Sequence, residues 1–238
     1  MYLEKASKSM TEFILASKSP RRKILLRNLI DPFLVVNSDI EELVIPGEKP
    51  DEFVIRLARE KALKGGAGVL PNSIDNVFVI GADTIVVDGT EILGKPLDQM
   101  DAARILEQLR GNTHQVLSGI ALYDLTSGDI QTRLVCTDVK MREYTEDEIE
   151  EYIASGDPLD KAGAYGIQNR DFNPAPEFSG CFANVMGLPL CHLAVLMKDM
   201  GINLDHQVAE RCQDSIKYQC PVYSDILAGR KVYGTERK

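Results

Sequence analysis

Apolar residues along the chain fall into two patterns, and each pattern predicts a different kind of element. Short runs rich in Val, Ile, Leu and Phe, bounded by Gly, Pro or charged residues, are typical of strands. Such runs predict strands at 13–17, 33–36, 77–80, 84–87, 115–123 and 130–142. Apolar residues at helical spacing predict helices at 50–64, 99–110 and 145–155, and another that begins at Pro20. Residues 182–200 are predicted to form a last strand and helix.

The order of these elements indicates the fold class. Strands alternate with helices, yet several neighbouring strands are joined by turns short enough for hairpins, of which Asp88-Gly89 is the strongest example. We therefore expect an α/β fold with a mixed sheet rather than a purely parallel one. Gly201 is the predicted end of the domain, and a polar tail is expected to follow it as far as Lys238.

Composition limits the class of protein. The 238 residues suffice for one well-buried domain, and 44% apolar with 26% charged residues is ordinary globular usage. No apolar run approaches the roughly 18 residues of a membrane span, and residues 1–12 lack the apolar stretch of a signal peptide. Five widely spread cysteines fit a reducing cytoplasm. A net charge of −9 argues against a nucleic-acid binder, although a small phosphate ligand needs only a local basic pocket.

A basic turn joins the first predicted strand to the first predicted helix. Residues 17–23 read Ser-Lys-Ser-Pro-Arg-Arg-Lys, which places hydroxyls, backbone N–H groups and cations at a helix N-terminus. Cations in a first helical turn oppose the helix dipole, so their concentration there favours an anion-binding role. The alternative is a solvated basic turn, and this segment alone does not decide between the two.

A carboxylate follows an apolar strand at Gly81-Ala82-Asp83-Thr84. At the end of a strand facing a cleft, a carboxylate can hold a metal or take a proton from water. Asp is also a common turn residue, so the motif is weak alone. Its neighbours strengthen it, because mixed carboxylates and lysines serve phosphoryl chemistry. These neighbours are Glu41, Glu42, Glu60, Lys61 and Lys95.

Two glycine-containing segments are further candidates. Residues 89–95 match the spacing of a P-loop, but Pro96 stands where that motif needs a Ser or Thr to bind Mg²⁺. We therefore reject a P-loop and keep Lys95 as a phosphate-binding candidate. The loop 160–168 ends in Gln168, whose amide can both donate to and accept from a nucleobase. A purely structural glycine loop is the alternative reading.

A group of soft ligands near the C-terminus could in principle form a tetrahedral zinc site. The group consists of Cys191, His192, Cys212 and Cys220. No Cys-x-x-Cys pair is present, and His192 follows Cys191 directly, which is poor geometry for two ligands of one ion. We favour free, partly buried thiols.

Taken together, the motifs resemble those of the Maf family of nucleotide pyrophosphatases. The matching segments, in family order, are ASKSPRR at 16–22, REKA at 59–62, IGADT at 80–84, GKP at 94–96, DKAG at 160–163, GIQ at 166–168 and NVMGLP at 184–189. The resemblance implies a Maf-like domain at 13–201, with extensions at 1–12 and 202–238. It also implies an elongated mixed sheet with flanking helices, related in fold to the inosine triphosphatases, and a cleft between two lobes.

The resemblance further implies an activity and roles for individual residues. The activity is hydrolysis of a nucleoside triphosphate to the monophosphate and pyrophosphate with Mg²⁺ or Mn²⁺, as a house-cleaning enzyme that contacts neither nucleic acid nor membrane. Asp83 would accept the proton of the attacking water, and Glu42 would join Asp83 in contacting the metal. The triphosphate would be held by Ser17, Arg22, Lys61 and Lys95. A homodimer is left open.

Three positions separate branches of the family, and here they resemble the branch that acts on dTTP and UTP. They are Arg21, Thr84 and Gln168. Gln168 suits the O4 and N3 edge of uracil or thymine. The 7-methyl-GTP branch has Trp at the first position, and this chain contains no Trp to stack on a cationic base. The alternatives are the same fold with another base preference, such as 7-methyl-GTP, and a non-catalytic nucleotide-binding regulator of cell division.

Overall fold

The computed structural model describes residues 11–69, 76–204 and 207–230. Parts of the two predicted extensions, residues 1–10, 205–206 and 231–238, lie outside the described residues. Six strands in the described part of the chain form one sheet: β1 (Thr11–Ala16), β2 (Leu34–Val36), β3 (Asn76–Asp88), β4 (Glu91–Leu93), β5 (Thr113–Asp124) and β6 (Ile130–Lys140). They lie in the order β2-β1-β3-β5-β6, and β4 pairs with the end of β3. The β1 pairs are parallel and the others antiparallel, which confirms the mixed sheet.

Helices cover the sheet and fill its ends. They are α1 (Pro20–Leu26), α2 (Pro50–Gly66), α3 (Gln99–Leu109), α4 (Glu146–Ala154), α5 (Phe182–Val185), α6 (Leu190–Asp199), α7 (Val208–Ile216) and α8 (Tyr223–Leu227), with 3-10 turns at Asp157–Asp160 and Ala162–Ala164. The predicted α/β class is therefore confirmed. The strand predicted near residue 182 is wrong, because that segment forms the short helix α5.

The predicted break between two strands at residues 81–83 is also wrong. β3 runs unbroken through Asp83, which pairs with Gly119 of β5. The strand continues because α2 packs directly on it: a Cβ on Gly81 would collide with the carbonyl oxygen of Ala58, and one on Gly119 with that of Val54. Glycine at both positions lets the helix approach the sheet closely.

The partner strands of β3 leave an opening along one of its edges. β1 pairs with β3 only as far as Gly81, and β4 begins to pair with it only at Val86. Residues 82–85 therefore have β5 on one side and no strand of the sheet on the other. Asp83 is in the middle of its own strand, yet it lies beyond the carboxyl end of β1, which is where ligands bind in open α/β sheets.

Two apolar clusters flank this opening. One contains Leu15, Ile80 and Leu122 of the sheet together with α1, α6, α7 and α8. The other contains Val86 and Val116 with α3, α4 and the segment that follows α4. The clusters form two lobes that meet at residues 82–85, as the expected cleft requires.

The chain after Gly201 adds structure to the first lobe. α7 and α8 bury Val208, Ala209, Cys212 and Ile226 in the same cluster as α6. The expectation of a polar tail is therefore wrong for this segment. In the described part of the chain, no helix combines the length and the apolar character that a membrane crossing requires.

Candidate active site

A lysine joins two carboxylates at the opening in the sheet. Lys61, on α2, places its Nζ 2.6 Å from Oδ1 of Asp83 and 2.6 Å from Oε1 of Glu42. Lys61 and Asp83 are 9% and 5% exposed, and each buried charge is paired with one of opposite sign. In the part of the chain that the structure describes, Asp83 bonds to Lys61 through Oδ1, which leaves Oδ2 as the carboxylate oxygen that can accept a proton.

On the other face of β3, α1 contributes a partly buried arginine. Arg22 donates from Nη2 to the Thr84 hydroxyl at 3.1 Å, from Nε to the Gly187 carbonyl at 2.8 Å and from Nη1 to the Ser17 hydroxyl at 3.4 Å. Burial lowers the pKa of Arg22 from its ordinary value, and Asp83 opposes that shift. A guanidinium remains charged in proteins, so this is a rigidly held cation beside Asp83.

The turn before α1 has the conformation that its sequence predicts. The Ser19 side chain caps α1 by accepting from the Arg22 backbone N–H, and Pro20 occupies the first turn. The basic residues Arg21 and Arg22 thus begin a helix of seven residues at the edge of the opening. No acidic residue lies in that first turn to offset the cations locally, so the turn is suited to an anion.

A cavity of about 320 Å³ fills the space between the lobes and gathers most of the predicted site. Eight of the nine candidate residues line it: Arg21, Arg22, Glu42, Lys61, Asp83, Thr84, Lys95 and Gln168. Ser17 does not line the wall but lies behind it, bonded to Arg22 and to the backbone N–H of Ser19. Residues distant in sequence are thereby brought to one cleft, as the motifs predicted, although their individual roles stay predictions.

Two further cavity residues belong to the DKAG motif at 160–163, and the sequence predicts no individual role for them. Lys161 and Asp160 line the wall beside Gln168. Lys161 Nζ lies 2.7 Å from Asp160 Oδ1 and 2.9 Å from Asp157 Oδ1, and its side chain is 9% exposed. Burial raises the pKa of Asp160, but the hydrogen bonds and charges of Lys161 and Arg21 together outweigh burial, and the net shift is downward. A cation directly before a glycine-rich loop is the signal that could have identified Lys161.

The charges of the cavity favour a polyanion. Its lining contains five cationic side chains, Arg21, Arg22, Lys61, Lys95 and Lys161, and three carboxylates, Glu42, Asp83 and Asp160. The protein as a whole is acidic. A positive cleft in an acidic molecule concentrates negatively charged ligands locally without creating general affinity for nucleic acid.

The carboxylates also fit a divalent cation that arrives with phosphate. Mg²⁺ is usually bound through one or two carboxylates together with substrate phosphates, rather than by a cage made only of protein. Glu42 and Asp83 supply two such oxygens on one wall, each having used one oxygen on Lys61. In the described residues, no group of three or more His, Cys, Asp or Glu side chains is arranged to hold a metal. The donor set therefore fits a metal that the substrate completes.

The cysteines weighed as zinc ligands lie in an apolar environment. Cys191, Cys212 and Cys220, with Cys181, line a second, smaller cavity between α6, α7 and α8. Burial raises the pKa of Cys191 and of Cys212 to about 12. Such surroundings favour the protonated thiol, whereas a zinc ligand is a thiolate.

Comparison with known proteins agrees with this geometry. The family model described as Maf-like protein matches residues 12–200. A dTTP/UTP pyrophosphatase of Clostridium botulinum (strain Loch Maree / Type A3) is 43% identical over 196 residues, which are 82% of this chain and 100% of that protein. A dTTP/UTP pyrophosphatase of Dictyoglomus thermophilum is 44% identical over 195 residues, 81% of this chain and 98% of that protein.

A third relative and one solved structure extend the comparison. A dTTP/UTP pyrophosphatase of Geobacter sulfurreducens is 42% identical over 188 residues, which cover 79% of this chain and 96% of that protein. The crystal structure of a nucleoside-triphosphatase / dITP/XTP pyrophosphatase from Mycobacterium abscessus is 15% identical, with a TM-score of 0.31, over 56% of this chain and 73% of that one. That TM-score is too low to carry an argument.

Proposed function

Because the chain belongs to the family of Maf-like proteins, we propose that it hydrolyses dTTP and UTP to the monophosphate and pyrophosphate. One observation carries the proposal: the Asp83 carboxylate lies on the wall of a cavity that is also lined by five cationic side chains. A carboxylate with one free oxygen can activate water, and converging cations can hold a triphosphate. The choice of nucleotides is supported by the similar proteins, which are dTTP/UTP pyrophosphatases.

In the proposed reaction, Asp83 Oδ2 takes a proton from a water that attacks the α-phosphorus. The bond from that phosphorus to the oxygen bridging the α- and β-phosphates breaks, and its electron pair leaves on pyrophosphate. Arg22 and Lys95 hold the phosphate oxygens and stabilise the negative charge that develops on the leaving group. Lys61 fixes the orientation of Asp83 through its 2.6 Å contact.

A divalent cation, Mg²⁺ or Mn²⁺, is part of the proposal. Glu42 and Asp83 are the residues that would hold it. When bound, such an ion neutralises phosphate charge and polarises the phosphoryl group. The arrangement of Lys61 between the two carboxylates keeps both on the cavity wall.

Base recognition is assigned to three side chains of the same cavity. Gln168 offers an amide that matches the O4 and N3 atoms of uracil or thymine. Arg21 and Thr84 line the wall around it. We further propose a cytoplasmic enzyme that does not bind nucleic acid; light scattering would decide whether it is a homodimer.

The test is turnover of a panel of canonical and modified triphosphates with Mg²⁺ or Mn²⁺, in which pyrophosphate and monophosphate are both identified. Asp83→Asn should lower turnover by at least 10²–10⁴-fold, as expected for loss of a general base. Asp88→Asn is the matched control, because Asp88 ends the same strand and does not line the cavity.

Three results would contradict the proposal. Normal pyrophosphate release by Asp83→Asn would remove Asp83 from the mechanism. Binding of dTTP without production of monophosphate would indicate a nucleotide-binding regulator. Faster turnover of another triphosphate, such as 7-methyl-GTP, would change the substrate and keep the enzyme class.

A further inference from the structure

An ion pair crosses the mouth of the cavity between the two lobes. Arg21, on α1, donates from Nη1 to Oδ2 of Asp160 at 3.2 Å. The two residues are separated by 139 positions in the sequence. Their side chains are 26% and 62% exposed, so the pair contributes little to the stability of the fold. Its effect is to orient Arg21, because it holds the guanidinium toward the opposite wall.

Asp160 has a second partner, and that partner is buried. Its Oδ1 accepts from Lys161 Nζ at 2.7 Å. The same ammonium donates to Asp157 Oδ1 at 2.9 Å and to the Asp157 backbone carbonyl. One carboxylate therefore connects the guanidinium of Arg21 to a lysine that is fixed by a second aspartate.

The connection continues to the loop that carries Gln168. Asp157 Oδ2 accepts from the Tyr152 hydroxyl at 2.7 Å, and that hydroxyl accepts from the Gly166 backbone N–H at 2.9 Å. A Cβ on Gly166 would lie only 2.9 Å from Nε2 of Gln168 and 3.0 Å from Cε of Lys161. The Gln168 amide and the Lys161 side chain thus both lie directly beside Gly166.

We propose that Asp160 is a specificity-determining positioning residue, which holds Arg21 and the Gln168 loop in one fixed relation around the base of the nucleotide. The inference rests on the proposed function, since it concerns the base preference of the same cavity. Arg21 and Gln168 lie on different lobes, and in the described residues Asp160 bonds both to Arg21 and to Lys161, which lies beside Gly166 of the Gln168 loop.

A positioning role for Asp160 and a purely structural role predict different changes in kcat/KM and KM for the different bases. Asp160 is a negative charge in a cavity proposed to bind a triphosphate, so its removal favours the binding of every nucleotide. Loss of orientation at Arg21 and Gln168 acts only on the preferred bases. Asp160→Asn should therefore lower kcat/KM for dTTP and UTP relative to GTP, while KM for GTP does not rise.

The experiment measures the ratio of kcat/KM for dTTP to that for GTP in four proteins. These are the wild type, Asp160→Asn, Arg21→Ala and the double variant. We expect Asp160→Asn to reduce the ratio by about fivefold, the upper end of what an exposed ion pair supplies. In the Arg21→Ala background, the same substitution should reduce the ratio by a smaller factor, because only the connection from Asp160 to the Gln168 loop then remains. Asp199→Asn is the matched control, because Asp199 pairs with Arg133 at 3.0 Å and does not line the cavity.

Each outcome has a definite meaning. A wild type that hydrolyses no triphosphate overturns the proposed function itself. If the wild type is active, an unchanged ratio in Asp160→Asn overturns the inference. So does an equal effect in both backgrounds, because Asp160 would then not act through Arg21. A uniform loss of kcat with raised KM for every base would show a structural role only, and it would also overturn the inference.

Discussion

The ammonium of Lys61, on α2, lies 2.6 Å from the carboxylate of Asp83, on β3, and both side chains are largely buried. Neither charge has much access to water, so each stabilises the other in its ionised form. Removal of one partner should therefore lower the free energy of unfolding more than removal of both partners.

Lys61→Met tests this asymmetry. The substitution leaves Asp83 without its ammonium, and we expect the free energy of unfolding to fall by about 3 kcal/mol. Adding Asp83→Asn in the same chain should recover much of that loss, because no unpaired carboxylate then remains. Urea denaturation of the two single variants and the double variant without added metal measures the effect. Equal stability of Lys61→Met and wild type would show that the pair is dispensable.

Gly166→Ala should change base preference more than stability. The new methyl group meets Nε2 of Gln168, the end of a side chain that can move aside, and lies 3.0 Å from Cε of Lys161, which has to shift by a few tenths of an ångström. We expect a free energy of unfolding within about 1 kcal/mol of wild type, with a reduced preference for dTTP over GTP. Competition assays with pyrophosphate detection, combined with thermal denaturation, separate the two effects. A preserved preference would mean that Gln168 tolerates displacement or does not contact the base.

His192 should make the protein less stable in acid. Burial lowers its pKa from 6.5 to about 3, so between these values the unfolded chain binds more protons than the folded one. Stability is then lost as pH falls through that window. The loss from this group between pH 6.5 and pH 4 is on the order of 3 kcal/mol.

His192→Leu isolates this contribution. Neither ring nitrogen of His192 has a hydrogen-bond partner among the described residues, so leucine should be at least as stable as histidine at pH 7. Its advantage should grow as pH falls. His114, whose pKa burial lowers to about 4, remains in both proteins and serves as the common background. Parallel pH dependence of the melting temperature in the two proteins would rule out His192 as an acid-sensitive group.

Ile226→Ala tests whether the C-terminal helices belong to the cooperative fold. Ile226 is 4% exposed and packs in the cluster of α1 and α6. Truncation of a buried isoleucine costs about 2–5 kcal/mol, which for a chain of this size lowers the melting temperature by several degrees. Ile24→Ala is the matched control, because Ile24 is 54% exposed. Equal melting temperatures of the two variants would show that α8 unfolds independently.

Local chemistry made several elements predictable from the sequence. Asp98 caps α3, Thr145 and Glu148 form the capping box of α4, and Asp88-Gly89 joins β3 to β4. In each case, the side chains that define the boundary lie within a few residues of it. The predicted end of α2 before Gly65 was wrong for the opposite reason. The helix includes Gly65 and Gly66 because they pack closely on Ala16 and Tyr123, residues distant in sequence.

The residues of the site were predictable from the sequence because they lie in recognisable motifs. Features of the site that depend on packing between distant segments were not predictable. The candidate residues converge on one cavity because each motif lies at an element end or at the opening beside β3. The continuity of β3 through Asp83 depends on Gly119 of another strand, which no local pattern reveals. The pairing of Arg21 with Asp160 likewise depends on how the two lobes meet.

The interrupted edge of β3 also determines what kind of molecule can enter. An unpaired strand edge normally invites another polypeptide to add to the sheet and so promotes aggregation. Here only residues 82–85 are uncovered, and β1 and β4 close the edge at either end. A slot this short cannot accept a β-strand. An apolar peptide segment would also have to displace water from the charged side chains around the slot, which is unfavourable. The molecule thus keeps an open sheet edge where a metabolite fits and a peptide does not.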